Sequence, residues 1–287
     1  MPSKSRLGQN FLRDQQAIRR IVAALGDCSD RTVVEIGPGM GAITRELAER
    51  AGRVLGLELD HELAARLSSE LSRGAAEQGT NPATSNVEIE TVDVLSFDFV
   101  AASALAGQKL LVAGNLPYYI TSPILSKLAE SAEALDRAVL MVQSEVADRV
   151  TAQPGSRAFG LLSVTVQLHG PVEQLFTLLP SAFTPPPEVH STVFRWRFAP
   201  RFKALEVDRE PFLNFLRQVF ALKRKTLANN LRAAGLDSAI ALQALSNAGI
   251  DSKARAESVS IESLAALWKV LKAEGATPAN EVAPTIV

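Results

Sequence analysis

Between Thr32 and Gln143, short β-branched runs alternate with amphipathic stretches, and that alternation leaves few folds open to the chain. The predicted strands are Thr32–Ile36, Arg53–Glu58, Val87–Val92, Lys109–Ala113 and Ala138–Gln143. The predicted helices between them are Ala42–Glu49, His61–Leu71 and Ser122–Ala134. Strand and helix in turn require crossover connections, hence a mostly parallel sheet covered on both faces, an α/β fold. Two later runs, Leu162–Leu168 and Thr192–Phe198, are expected to close the sheet as a hairpin-like pair. From Arg201 the strand signal stops. Pro211–Leu222, Thr226–Ala234, Ile240–Ala248 and Ile261–Ala273 carry helical periodicity, so a small all-α domain is expected to follow. The expected division is 1–200 with a basic N-terminal arm, 201–274 helical, and 275–287 a flexible tail. Ser72–Asn86 has no periodicity and is expected to be an exposed loop.

Apolar residues make up 47% of the 287 and charged ones 21%, an ordinary globular balance. No stretch is long and apolar enough to cross a membrane, and Met1–Arg20 lacks an apolar leader core. A single cysteine, Cys28, excludes an intrachain disulfide and a Cys-based metal site, and it fits a reducing cytoplasm. His61, His169 and His190 are scattered, so no metal is expected. The formal net charge of −1 hides an uneven distribution. Residues 195–232 hold ten Lys/Arg against three Asp/Glu, and residues 1–20 hold five against one. Local basic regions on a near-neutral chain point to a polyanionic partner met on one face.

Four strand ends carry chemistry. After the first strand comes Val33-Val-Glu-Ile-Gly-Pro-Gly-Met-Gly41, whose glycines let backbone turn sharply against a ligand. Glu58 ends the second strand about twenty residues on, where a carboxylate accepts from both hydroxyls of a ribose. That pair alone fits NAD and S-adenosylmethionine equally. Three details favour the latter. Glycines at 37, 39 and 41 do not follow the G-x-G-x-x-G spacing of the dinucleotide loop. Asp93 closes the third strand, where it can accept from an adenine amino group. Asn115-Leu116-Pro117-Tyr118 ends the fourth, joining a carboxamide and an aromatic ring through a rigid Leu-Pro step. An NAD-dependent oxidoreductase is further disfavoured, because no His or Tyr-x-x-x-Lys stands ready for hydride transfer.

The chain resembles the ribosomal RNA adenine dimethyltransferases, in their small-subunit branch. The matching segments are Lys4-Ser-Arg-Leu-Gly-Gln-Asn-Phe-Leu12, Val34-Glu-Ile-Gly-Pro-Gly39, Leu57-Glu-Leu-Asp60, Val92-Asp-Val94, Gly114-Asn-Leu-Pro-Tyr118, Phe159-Gly-Leu-Leu-Ser-Val164, Ser181-Ala-Phe-Thr-Pro-Pro-Pro187 and Lys223-Arg-Lys-Thr-Leu227. The resemblance implies a class I S-adenosylmethionine-dependent methyltransferase fold, Rossmann-like, with a C-terminal helical domain. It implies that Asn10 and Leu12 touch the cofactor from the N-terminal arm. Gly37 would approach its methionine moiety, Glu58 its ribose, Asp93 its adenine and Asn115 its reacting end. Family members convert two adjacent adenosines near the 3′ end of small-subunit (16S) ribosomal RNA to N6,N6-dimethyladenosine. Departures are small: Phe159 stands where Tyr is frequent, and Tyr119 follows the motif at a variable position.

Chemistry sets the roles. An adenine amino nitrogen is a poor nucleophile and a sulfonium methyl a strongly activated one, so positioning and N–H acceptors matter more than a dedicated base. The Asn115 side chain and the Leu116 carbonyl are expected to accept the N–H bonds, Tyr118 to stack on the base, and Phe183 to cover another face or edge, with the base unpaired or flipped. Arg217 and Arg224, seven apart, are expected to share a helix face beside Lys223 and Lys225 and to meet RNA phosphates. The expected partner is small-subunit ribosomal RNA or the assembling subunit, and the expected state a monomer. The competing readings are methylation of large-subunit (23S) ribosomal RNA and a non-enzymatic assembly factor that holds RNA.

Overall fold

The computed structural model describes residues 10–77 and 86–277. Its centre is a seven-stranded sheet. The strands are β2 (Thr32–Ile36), β3 (Arg53–Glu58), β4 (Val87–Thr91), β5 (Leu110–Asn115), β6 (Leu135–Gln143), β7 (Val172–Leu178) and β9 (Ser191–Arg197), in the order β4-β3-β2-β5-β6-β9-β7. The first five run parallel, while β9 pairs antiparallel with both β6 and β7. All five residues of β2 and five of six in β5 are buried, which is why these strands read as unbroken apolar runs. A second, two-stranded sheet joins β1 (Phe11–Leu12) to β8 (Phe183–Thr184).

The chain enters this sheet at β2, steps outward through β3 and β4, then returns to lay β5 on the other side of β2. The connections diverge between β2 and β5, and the crevice at the carboxyl ends of such strands is where open α/β sheets bind ligands. A close approach marks this seam: Gly114 lies opposite Ile36, and a Cβ there would sit 2.8 Å from the Ile36 carbonyl oxygen. Helix α1 (Gln15–Ala23) precedes β2, and α2 (Ala42–Ala48), α3 (His61–Glu77), α4 (Phe99–Ala106) and α5 (Thr121–Glu130) lie in the four connections of the parallel strands. Asp14 caps α1 and Asp98 caps α4, each accepting two backbone N–H bonds.

The described residues form two compact units, 10–147 with 171–199, and 148–170 with 200–277. The first holds the sheet. The second is helical, built from α7 (Leu161–Leu168), α8 (Phe202–Leu205), α9 (Arg209–Val219), α10 (Leu227–Ala233), α11 (Ser238–Asn247) and α12 (Ile261–Ala273), with α6 (Ser144–Thr151) leading into it. Its core gathers Phe212, Phe215, Leu216 and Val219 with Leu231, Leu245 and Trp268. Thr226, Asp237 and Ser260 cap α10, α11 and α12.

Three expectations are corrected. Leu162–Leu168 is helix, not strand; it buries Val164, Val166 and Leu168, and the antiparallel partner of β9 is Val172–Leu178. Segment 148–170 accordingly belongs to the helical unit, so the boundary is not a single cut at residue 200. The expected loop Ser72–Asn86 begins as helix, because α3 continues to Glu77 through a stretch rich in Ala. The remainder of that loop, residues 78–85, lies outside the described residues, as do 1–9 of the arm and 278–287 of the tail.

Candidate active site

A cavity opens at the β2/β5 seam. Its wall includes Asn10, Phe11 and Leu12 from the arm, Gly37 to Met40 from the loop after β2, Glu58 from β3, and Asn115 to Tyr118 from β5. Gly37, Gly39 and Gly41 all take positive φ, between 55° and 76°, which side chains resist. The loop then feeds α2.

Glu58 is 4% exposed and tied at both oxygens. Oε2 accepts the Gly39 N–H at 2.9 Å and Oε1 accepts the Asp60 N–H at 3.0 Å. One carboxylate thus fixes the glycine loop and keeps lone pairs for a ligand hydroxyl. Asn115 is oriented by a long-range bond: its Nδ2 donates to the Asn10 carbonyl at 3.0 Å, which leaves Oδ1 as the acceptor. Leu116 is locked through its N–H to the Met141 carbonyl at 2.9 Å. The Tyr118 hydroxyl meets Ser191 Oγ at 3.0 Å, anchoring the ring to β9.

So the structure brings Asn10, Leu12, Gly37, Glu58, Asn115, Leu116 and Tyr118 to one cavity. Asp93 lies two residues beyond β4, beside the β3 end, where the Val92 N–H donates to the Glu58 carbonyl. It is exposed, is not part of the cavity wall, and accepts the Leu95 N–H of its own turn at 2.9 Å. Phe183 corrects the expectation that it covers a face or edge of the base, because it is absent from the cavity wall. It pairs with Leu12 between β8 and β1 and is 3% exposed, with its ring in the core of the first unit.

Glu35 belongs to the cavity wall and was missed from sequence. Its only signal was a lone carboxylate inside the apolar run Val33–Ile36. It is 2% exposed, and Oε2 has no hydrogen-bond partner within the protein. Burial first, and the Glu58 charge after it, push the carboxyl up to about 7, while Thr44 and Arg45 offset part of this. Below pH 4.5 the group is protonated in folded and unfolded chains alike and costs nothing. Between pH 4.5 and about 7 the unfolded chain has released the proton while the folded chain holds it, so stability falls across that window and levels off above it, by about 3 kcal/mol at most. Glu35→Gln should therefore raise the melting temperature of cofactor-free protein at pH 8 and leave it little changed near pH 4.5. An equal difference at both pH values contradicts this.

In the helical unit, Lys223, Arg224 and Lys225 are exposed on the loop between α9 and α10. Here too an expectation is corrected: α9 ends at Val219, so Arg224 does not share a helix face with Arg217. Arg217, exposed on α9, hydrogen-bonds Asn214, one turn before it. Arg224 takes φ 68°, unusual for a residue with a side chain. Buried Asn230 holds this loop, accepting the Leu222 N–H at 2.8 Å and donating to the Leu222 and Thr226 carbonyls at 3.4 and 3.3 Å.

Comparison with known proteins follows the same lines. The family model described as "Ribosomal RNA adenine dimethylase" matches residues 2–273. The chain is 54% identical to "Ribosomal RNA small subunit methyltransferase A" of Acidobacterium capsulatum, over 94% of this chain and 91% of that one. It is 48% identical to the protein of the same name from Koribacter versatilis, over 94% of each. Among solved structures, a dimethyladenosine transferase from Plasmodium falciparum superposes with a TM-score of 0.76 at 24% identity, covering 92% of this chain and 98% of that one, a likeness of fold. The 23S rRNA methyltransferase ErmE gives 0.68 at 28% identity, covering 92% and 100%.

Proposed function

This chain belongs to the ribosomal RNA adenine dimethylase family, and from that premise we propose that it dimethylates N6 of two adjacent adenosines near the 3′ end of small-subunit ribosomal RNA. S-adenosylmethionine is the methyl donor. The observation that carries the reading is the Asn115 carboxamide, turned by the Asn10 carbonyl so that its oxygen accepts, at the rim of a glycine loop braced by a buried carboxylate. Methylation of large-subunit RNA draws support from the likeness to ErmE, but the relatives at 54% and 48% identity weigh towards the small subunit.

The residues present fit the donor. The positive-φ glycine loop admits close approach of a ligand, Glu58 offers acceptors for ribose hydroxyls, and the buried, unpartnered Glu35 oxygen suits a cavity that takes a cationic ligand. Asn10 and Leu12 would close over it from the arm, and Asp93 would accept from its adenine. When bound, S-adenosylmethionine supplies a methyl group activated on a sulfonium.

The protein's own part is to seat the base. Asn115 Oδ1 and the Leu116 carbonyl accept the N6–H bonds and favour a pyramidal nitrogen. Tyr118, its hydroxyl held by Ser191, presents its ring to the base. After one transfer the nitrogen keeps a single N–H, so a grip of two acceptors and a ring still holds the base through one acceptor and stacking. No side chain need take the proton during attack, because it becomes acidic only as the N–C bond forms and can leave afterwards to water.

Lys223, Arg224 and Lys225, with Arg217, bind phosphates of the assembling small subunit, on which the protein works as a monomer in the cytoplasm. Replacing all three loop residues by alanine should weaken binding to subunits and lower the slope of log affinity against log salt by about two to three. An unchanged slope removes these residues from the interface. The function itself is tested by incubating the protein with labelled S-adenosylmethionine and unmethylated small subunits, then analysing nucleosides by mass. N6,N6-dimethyladenosine at two neighbouring positions is expected; no label on small subunits, with label on large subunits in a parallel incubation, would favour the other reading.

A further inference from the structure

Tyr119 is 56% exposed, the one aromatic among the exposed large apolar side chains of the described residues. It sits on the short turn Tyr118–Ile120, directly after the ring that lines the cavity. Three hydrogen bonds brace the turn. The Pro117 carbonyl accepts from the Ile120 N–H at 3.2 Å and from Thr121 Oγ1 at 3.0 Å, and the Tyr118 hydroxyl is held by Ser191. A side chain on so fixed a turn presents its ring at low entropic cost to a partner. Successive residues of such a tight turn point in different directions, so Tyr118 faces the cavity while Tyr119 faces outward at the same lip. Their Cα atoms are about 3.8 Å apart. A nucleotide next to the one in the slot therefore lies within reach of the second ring.

We propose that Tyr119 is a stacking platform for the unpaired base adjacent to the adenosine being methylated, so that consecutive tyrosines hold consecutive nucleotides. The proposal rests on the RNA-methylating reading above and adds a subsite to it. Base–aromatic stacking tolerates any base and is strong enough to change affinity by about tenfold. For a substrate with two neighbouring adenosines, one base waits on Tyr119 while the other reacts, and a step of one nucleotide exchanges their places.

The test compares Tyr119→Ala, Tyr119→Leu, Tyr119→Phe and Tyr119→Trp on unmethylated small subunits, with wild-type activity establishing that the substrate is right. Alanine and leucine should raise the KM for subunits about tenfold, while phenylalanine and tryptophan stay near wild type. Donor affinity and melting temperature should not move, since the ring is exposed. If alanine stays within about twofold of wild type, Tyr119 carries no base. Should leucine rescue as well as phenylalanine, the side chain meets an apolar surface, such as a ribosomal protein, and the stacking assignment is overturned. A wild-type protein inactive on subunits would instead refute the underlying reading.

Discussion

Asn115→Ala should lower the rate of methyl transfer to small subunits by about 10²- to 10³-fold at saturating donor, the scale of losing one preorganised polar group aimed at the reacting atoms. The side chain does two things. Its Nδ2 holds the Asn10 carbonyl, and that bond sets which way the amide faces. Its Oδ1 is then the acceptor offered to the amino nitrogen. Alanine removes both, so a moderate loss of donor affinity through the arm should accompany the larger loss of turnover. Asn115→Asp separates the two contributions poorly but instructively. It keeps an acceptor at Oδ1 yet puts a carboxylate oxygen against the Asn10 carbonyl, and the side chain should rotate away. Both variants should show a fall in kcat that exceeds the change in donor affinity by at least about tenfold. If donor affinity falls as much as kcat, Asn115 holds the cofactor and not the base.

Glu58→Ala should weaken S-adenosylmethionine binding by about 100-fold. Hydrogen bonds to a charged group contribute about 1.5–3 kcal/mol each, and a carboxylate gripping two ribose hydroxyls would supply about 3 kcal/mol after desolvation. The structure adds a second route to the same loss. Glu58 is the acceptor for the Gly39 N–H, so alanine also leaves the glycine loop without its brace. The two routes differ in one observable. Loss of the brace destabilises the cofactor-free protein by about 1–3 kcal/mol, a drop of a few degrees in melting temperature, whereas loss of ribose contacts alone leaves it unchanged. The account expects both effects. Calorimetric titration with the donor and melts without it check them, and donor affinity within about fivefold of wild type would remove Glu58 from the site.

Much of this was legible in the sequence because local and tertiary preferences agree there. β2, β3 and β5 are buried on both faces, so their apolar runs are strands by pattern, and the polar residues that end β3 and β5 reach the cavity. Leu161–Leu168 misled because Val164, Thr165 and Val166 favour strand locally, while three of its apolar residues pack into the helical core; a short apolar run does not distinguish the two. Val172–Leu178 was overlooked because only one of its seven residues is buried, so its pattern is weak. The Arg217–Arg224 spacing implied a shared face only on the premise that α9 continued. Asn230, eight residues beyond Leu222, captures both the N–H and the carbonyl there, and no periodicity reports that. Phe183 and Tyr119 show the remaining limit. Both are aromatic and near recognisable motifs, but only coordinates reveal that the first is 3% exposed and the second 56%.

The central claim is spatial: the end of β5 seats a purine amino group beside the transferable methyl. A crystal structure of the protein with a non-transferring donor analogue and a short RNA containing two adjacent adenosines tests it most directly. The account predicts one adenine amino nitrogen within about 3 Å of Asn115 Oδ1, in line with the donor's sulfur position. An adenine bound with that nitrogen turned away from Asn115, or a donor bound outside the loop formed by Gly37 to Gly41, would contradict it.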